Sequence, residues 1–263
     1  MTDRLRDKVI VVVGGTTGLG LSAAQACVKE GAKVVVVGRS EQNAIAATKA
    51  LGANSCYVAG DATQPPVAED AVRMAVDRFG RLDGLYHVAG GSGRRWGDGP
   101  LDEITDEGWE KTIELNLTSL MNSNRAVVRQ LIRQGTGGSI VNMGSVLSDS
   151  PSPKHFATHT YAATKAAAVG LTKAAASYYA GKNIRFNIVE PALVETPMSE
   201  RAVTDSEIVK YVETKQPLDG GRIGRPGDLD GAIIYLLSDE SKVVTGQVLK
   251  IDGGWSMTEG QHD

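Results

Sequence analysis

Tyr161 and Lys165 stand four residues apart in the run Tyr-Ala-Ala-Thr-Lys, near the start of an alanine-rich segment with helical character. At that spacing a helix sets both side chains on one face, one turn apart. A phenol with an ordinary pKa near ~10 is a poor acid or base at neutral pH, and bringing it to about 7 takes ~3 units, or roughly 4 kcal/mol. A cation about 4 Å away, at an effective dielectric of about 20, supplies roughly that much. The pair can therefore act as a proton donor tuned for neutral pH. A packed ring beside a solvated lysine has the same spacing, so the surroundings must decide.

A second chemical feature is Gly14-Gly15-Thr16-Thr17-Gly18-Leu19-Gly20, which directly follows the β-branched run Val9 to Val13. A glycine loop between a buried strand and a helix lets the backbone approach a dinucleotide pyrophosphate while the helix N-terminus offers free N–H groups. The spacing of Gly14, Gly18 and Gly20 is wider than G-x-G-x-x-G, so the placement after the strand carries the reading. At the end of the second strand a carboxylate would bind the ribose 2′-hydroxyl of NAD, whereas an arginine accommodates the 2′-phosphate of NADP. Gly38 and Arg39 occupy that place, which favours NADP(H), with NAD(H) the alternative if Glu41 fills the acidic role. Asp61, just past the third strand, either borders the adenine side or caps a turn. Ser145 follows the fifth strand at the carboxyl edge, where a hydroxyl can hold a substrate carbonyl oxygen; Ser148 is the competing serine, further from the strand end. Asn116 is a mediocre helix former inside a helical stretch, which hints at a purpose beyond propensity.

The elements that must position these residues alternate. Strands are expected at Val9 to Val13, Lys33 to Val37, Ser55 to Ala59, Gly84 to Val88, Ser139 to Met143, Ile184 to Val189 and Gln247 to Ile251. Between them fall helical patterns: from the glycine loop to Glu30, from Ser40 or Glu41 to Leu51, Val67 to Phe79, Asp106 to Arg133, Thr160 to Ala180, and Gly227 to Leu237. The alternation predicts one α/β domain over 1–263, a Rossmann-like doubly wound parallel sheet of about seven strands with helices on both faces.

The composition is that of an ordinary globular protein: 263 residues, 41% hydrophobic and 22% charged, with 31 glycines that point to many tight turns. A net charge of −3 gives no global attraction to nucleic acid or anionic membrane, and neither is expected as a partner. Cys27 and Cys56 lack metal spacing, so no metal is expected. The apolar run after Met1 to Lys8 is too short for a signal-peptide core or a membrane span, and a cytoplasmic location is expected.

Taken together, the glycine loop, Ala89-Gly90, Asn116, Ser145, Tyr161 with Lys165, Asn187 to Pro191 with Thr196, Gly224 to Pro226, Thr245-Gly246 and Ile251 to Gly254 resemble the short-chain dehydrogenase/reductase family, over about residues 5 to 254. The resemblance is to the subgroup with a Tyr-x-x-x-Lys site, such as carbonyl reductases and reductases of oxoacyl groups on carrier protein. It implies hydride transfer between a nicotinamide and a carbonyl or alcohol, with Tyr161 as acid/base, Ser145 holding the reacting oxygen, Lys165 binding the ribose and depressing the tyrosine pKa, and Asn116 positioning a relay water. The implied cofactor site comprises Gly14, Thr16, Thr17, Gly18, Leu19 and Gly20, then Arg39, Ser40, Asp61, Ala62, Ala89 and Gly90, with Tyr161, Lys165, Pro191, Val194 and Thr196. It also implies a homotetramer, or a homodimer, built from the long helices around Asn116 and Tyr161 and the last strand. Departures from the family pattern are Val13 for threonine, His87-Val88 for Asn-Asn, Gly144 for serine and Ala192 for glycine.

A small carbonyl or alcohol substrate is expected between loops 91–100, 146–160 and 192–218, which contribute Arg94, Arg95, Trp96, His155, Phe156 and His159. The leading expectation is an NADP(H)-dependent reductase. The alternatives are an NAD-linked dehydrogenase running oxidatively and a nucleotide-sensing module without turnover.

Overall fold

A computed structural model describes residues 3–260; the first two and last three residues of the expected domain lie outside them. Seven parallel strands form one sheet in the order β3-β2-β1-β4-β5-β6-β7. They are β1 (Val9–Val13), β2 (Lys33–Gly38), β3 (Ser55–Ala59), β4 (Gly84–His87), β5 (Gly138–Met143), β6 (Ile184–Pro191) and β7 (Val248–Ile251). The helices that set the site are α1 (Gly18–Lys29), α2 (Glu41–Leu51), α3 (Pro65–Phe79), α4 (Asp106–Ile113), α5 (Ser119–Gln134) and α6 (His159–Tyr179).

The central strands are continuous apolar runs because both faces are covered. On one face Ile10, Val12, Val34 and Val36 pack with Ala23, Ala24 and Cys27 of α1 and with Ile233 and Leu237 of the helix Asp230–Leu237. On the other, Val9, Val11, Val13, Val35 and Val37 meet Ala71, Val72 and Ala75 of α3 and Val127, Val128 and Leu131 of α5. Each valine so enclosed contributes about 1.5–3 kcal/mol. Strand order reverses between β1 and β4, and that switch point opens a crevice at the carboxyl ends of both strands.

Three expectations are revised. The Asp106–Arg133 helix is interrupted by a π-turn at Glu114–Thr118, where the Ser119 N–H donates to the Glu114 carbonyl five residues back. The last helix begins at Asp230 rather than Gly227, since Pro226–Leu229 winds as a tighter 3₁₀ turn. The 192–218 segment carries short helices, Glu200–Thr204 and Ser206–Lys215. Among the described residues no helix is long and apolar enough to cross a membrane.

Candidate active site and dinucleotide cleft

The crevice at the switch point has a volume of about 570 Å³. Its floor is the turn from β1 into α1, where the chain must pass very close to its neighbours. A side chain at Gly14, whose φ is +87°, would reach 2.7 Å from the Ala89 nitrogen, and one at Gly20 would reach 2.1 Å from the Gly14 carbonyl oxygen. Thr17 caps α1 without a side-chain bond, leaving the first-turn N–H groups turned outward at the cleft. These bare glycines and exposed donors fit a pyrophosphate.

One end of the cleft is set by Gly38, the last residue of β2. A Cβ there would lie 2.3 Å from the Thr16 hydroxyl, so Thr16 fills the space that a ribose-binding carboxylate would need. Arg39, Ser40 and Asn43 line this end, whereas Glu41 does not. Ser40 also caps α2 by accepting from the Asn43 N–H at 3.3 Å. Asp61 accepts from the Thr63 N–H at 2.9 Å as a turn cap, and with Ala62 it lines the cleft. Gly18, Leu19, Ala89, Gly90 and Thr196 line it as well. Pro191 and Val194 do not: Pro191 ends β6, and Val194 is buried in a parallel bridge to Gly224.

A second cavity of about 320 Å³ contains Ser145 and Tyr161 and meets the first at Met198, which lines both. Tyr161 sits in the first turn of α6. Asp98, buried in the loop after β4, accepts from the N–H groups of Thr160 and Tyr161 at 3.0 Å each, a distant carboxylate capping the helix that carries the phenol. Ser145 is oriented by the Leu147 N–H, which donates to its oxygen at 3.2 Å. Ser148 points elsewhere, donating to Glu190 at 2.6 Å, so Ser145 is the serine that shares the pocket with Tyr161.

Lys165 is buried and donates to the Met143 carbonyl at 3.0 Å, with its Nζ 5.4 Å from the Tyr161 ring centroid. Enclosure dominates both groups. It pushes the Tyr161 phenol up to about 12, with hydrogen bonding to Ser145 acting against it. It pushes the Lys165 ammonium down to about 8, with Glu190 acting against that. The expectation that Lys165 draws the phenol toward 7 is therefore not met in the protein alone, because desolvation outweighs a cation turned toward a carbonyl.

Asn116 lies in the π-turn, and its side chain is fully spent. Oδ1 accepts from the Gly91 N–H at 3.0 Å, while Nδ2 donates to the carbonyls of Gly91 and Thr112 at 2.8 and 2.9 Å. This clamp holds the loop after β4 against the widened turn.

Sequence reasoning missed Asp98, Arg201 and Glu190. Glu190 is fully buried with Oε2 lacking a hydrogen-bond partner, and burial pushes its carboxyl up. It also explains Gly144: a Cβ at that position would sit 2.6 Å from the Glu190 Cγ. His87 is buried between helix serines, with Nδ1 2.8 Å from the Ser123 hydroxyl; burial and then the Lys165 charge push it down to about 3, so it is a neutral brace for β4. The outward sign of Glu190 was an acidic residue near the end of a strand whose last residues before it, Ile188 and Val189, are apolar. Among the described residues no cluster of three or more metal-ligating side chains occurs.

The family model described as "Enoyl-(Acyl carrier protein) reductase" matches residues 13–256. The chain belongs to the short-chain dehydrogenase/reductase family. It is 33% identical to the 2,5-dichloro-2,5-cyclohexadiene-1,4-diol dehydrogenase of Sphingobium indicum over 260 residues, covering 98% of this chain and 99% of that one. It is 35% identical to the 3-oxoacyl-(acyl-carrier-protein) reductase of Thermotoga maritima over 255 residues, covering 95% and 98%. A short-chain type dehydrogenase/reductase from Mycobacterium ulcerans has the same fold, with a TM-score of 0.89 at 31% identity, covering 97% of this chain and 92% of that one. As a member of this family the protein is an oxidoreductase acting on CH–OH and C=O groups with a nicotinamide dinucleotide.

Proposed function

We propose that this short-chain dehydrogenase/reductase is an NADP(H)-dependent carbonyl reductase, with Tyr161, Ser145, Lys165 and Asn116 as its working set. The carrying observation is the shared pocket of Tyr161 and Ser145, opening at Met198 into the glycine-floored cleft. When bound, the cofactor supplies the hydride; the chain supplies geometry and the proton. Hydride arriving at a carbonyl carbon builds alkoxide character on oxygen, which the Ser145 hydroxyl stabilises and the Tyr161 phenol protonates. Burial keeps the phenol protonated at neutral pH, the form that reduction consumes. In this reading Lys165, whose Nζ lies 3.7 Å from where a Cβ on Gly90 would stand, holds the ribose and steadies the phenolate. Asn116 serves the proton relay through its backbone, since its amide is committed to Gly91 and Thr112. Thr196 borders the nicotinamide end.

The preference for NADP(H) rests on the blocked Gly38 position and on Arg39 at the adenosine end; the NAD-linked alternative lacks a carboxylate there, because Glu41 stands outside the lining. A nucleotide sensor without turnover has no use for a serine and tyrosine converging on a separate pocket. Loops 91–100, 146–160 and 192–218 grip a small carbonyl substrate. A homotetramer and a cytoplasmic setting complete the reading, the latter supported by two unpaired thiols.

The test is a Tyr161→Phe variant. Turnover in a ketone panel followed by NADPH absorbance should fall by about 10³-fold or more, while NADPH affinity by fluorescence titration stays within about threefold of wild type and above that for NADH. Unchanged turnover would refute the acid role, and tighter NADH binding would refute the cofactor preference.

A further inference from the structure

Two arginines from different segments converge on the mouth of the Tyr161 pocket. Arg94 lies in the 3₁₀ turn Arg94–Trp96 after β4, and Arg201 in the short helix Glu200–Thr204. Each points its Nη2 at the same main-chain oxygen, the carbonyl of His155, at 3.3 and 3.2 Å. Both line the cavity that holds Ser145 and Tyr161.

Two like charges drawn to one neutral oxygen lack a countercharge. Among the described residues neither guanidinium has a carboxylate within ion-pair distance. Asp98, the acid whose field reaches Arg94, has already committed one oxygen to the Thr160 N–H and the other to that of Tyr161. Burial, and then the neighbouring Arg201 charge, hold Arg94 below its ordinary range. Arg95, by contrast, is occupied, its guanidinium stacked 3.8 Å from the Trp96 ring centroid. A guanidinium presents a planar fork of donors matched to carboxylate or phosphate, and two such forks facing one pocket are completed by an anion. Below them the wall is apolar, formed by Val146, Leu147, Phe156, Leu193 and Trp255.

We propose that the substrate is a compact oxo compound bearing an anionic group, an oxo acid or its phosphate counterpart, gripped by Arg94 and Arg201 while its carbonyl faces Tyr161 and Ser145. This inference rests on the reductase reading above. In the balanced reaction the oxo carbon gains the hydride and its oxygen gains the Tyr161 proton, the nicotinamide is oxidised, and the anionic group is unchanged. Because Arg94 belongs to the loop after β4 and Arg201 to the 192–218 segment, the anion also ties these two segments together. Neutral ketones of equal size lack that tie. The cavity, near 320 Å³, restricts the substrate body to a small aliphatic chain or a single ring.

The experiment measures kcat/KM with NADPH for oxo acids of graded length, each beside its methyl ester and an oxo alkyl phosphate. It is run on wild type, Arg94→Ala and Arg201→Ala, with thermal melts to confirm folding. The expected result is an anion-to-ester ratio of about 10–100 in wild type, carried mainly by KM, that collapses toward one in either variant. Which anion is preferred then separates carboxylate from phosphate. A wild-type ratio at or below one across the panel, or a ratio that neither substitution moves, overturns the proposal while leaving the reductase intact. If no carbonyl compound turns over at all, the reductase reading fails instead, and calorimetry of benzoate against benzamide still reads the clamp. Benzoate binding weakened about tenfold or more by either substitution supports it, and equal binding of the two probes overturns it.

Discussion

At the scale of the residue, the Tyr161–Lys165 spacing was legible because i,i+4 geometry follows from sequence alone, but the charge states were not. They depend on enclosure and on partners from far along the chain: Met143, Glu190 and Ser145. These charge states predict direction-dependent pH profiles. Reduction requires Tyr161 protonated, which a value near 12 secures throughout the working range, and Lys165 charged, which fails above about 8. Reductive kcat/KM should therefore be level through neutral pH and fall above about pH 8, with NADPH affinity showing the same break if Lys165 holds the ribose. Alcohol oxidation needs the phenol to lose its proton and should accelerate as pH rises. Steady-state rates in both directions from about pH 6 to 10 decide it; a reductive profile level to about pH 9.5 removes Lys165 from the mechanism.

Asp98 shows the same limit at the scale of the element. Periodicity located α6, yet the acid that caps it comes from a glycine-rich loop some sixty residues earlier, and no local pattern announces such a cap. The π-turn in the Asp106–Arg133 segment was invisible for a related reason. An apolar stripe barely shifts when one turn widens, whereas the clamp of Asn116 on Gly91 requires it. Strand positions, by contrast, were legible to within a residue or two, because the valine runs of β1 and β2 mark buried strands and the turn residues between the alternating elements bound the rest. Asp98→Ala removes the acceptor of two first-turn N–H groups, and the loss should cost about 1–3 kcal/mol. For a chain of this size that lowers the melting temperature by very roughly 2–10 °C. Because the same bonds seat Tyr161, kcat should also fall when assayed well below the melting transition. Calorimetry paired with initial rates checks both; a lowered melting temperature with unchanged kcat makes Asp98 a stability residue only.

For the whole molecule, the sheet order leaves β7 as an edge strand, and apolar side chains remain uncovered on the helices beside the site. Trp109 on α4 is 47% exposed, Met121 on α5 and Leu171 on α6 are each 36% exposed, Tyr178 on α6 is 75% exposed, and Leu249 on β7 is 36% exposed. An edge strand and an apolar helical face are costly in water and are commonly closed by a second copy through two-fold symmetry. Under the proposed assembly the helical face and the β7 edge each close on a second copy, which makes four chains. In a two-fold interface each substitution enters from both copies, so Trp109→Glu with Leu171→Glu brings four new carboxylates into the helical contact. Light scattering at micromolar concentration should give four chain masses for wild type and two for the double variant, which retains the β7 contact. The wild-type melting temperature should also rise with protein concentration more steeply than that of the variant. A wild-type protein that scatters as one chain at these concentrations removes the tetramer and leaves these faces for another partner to cover.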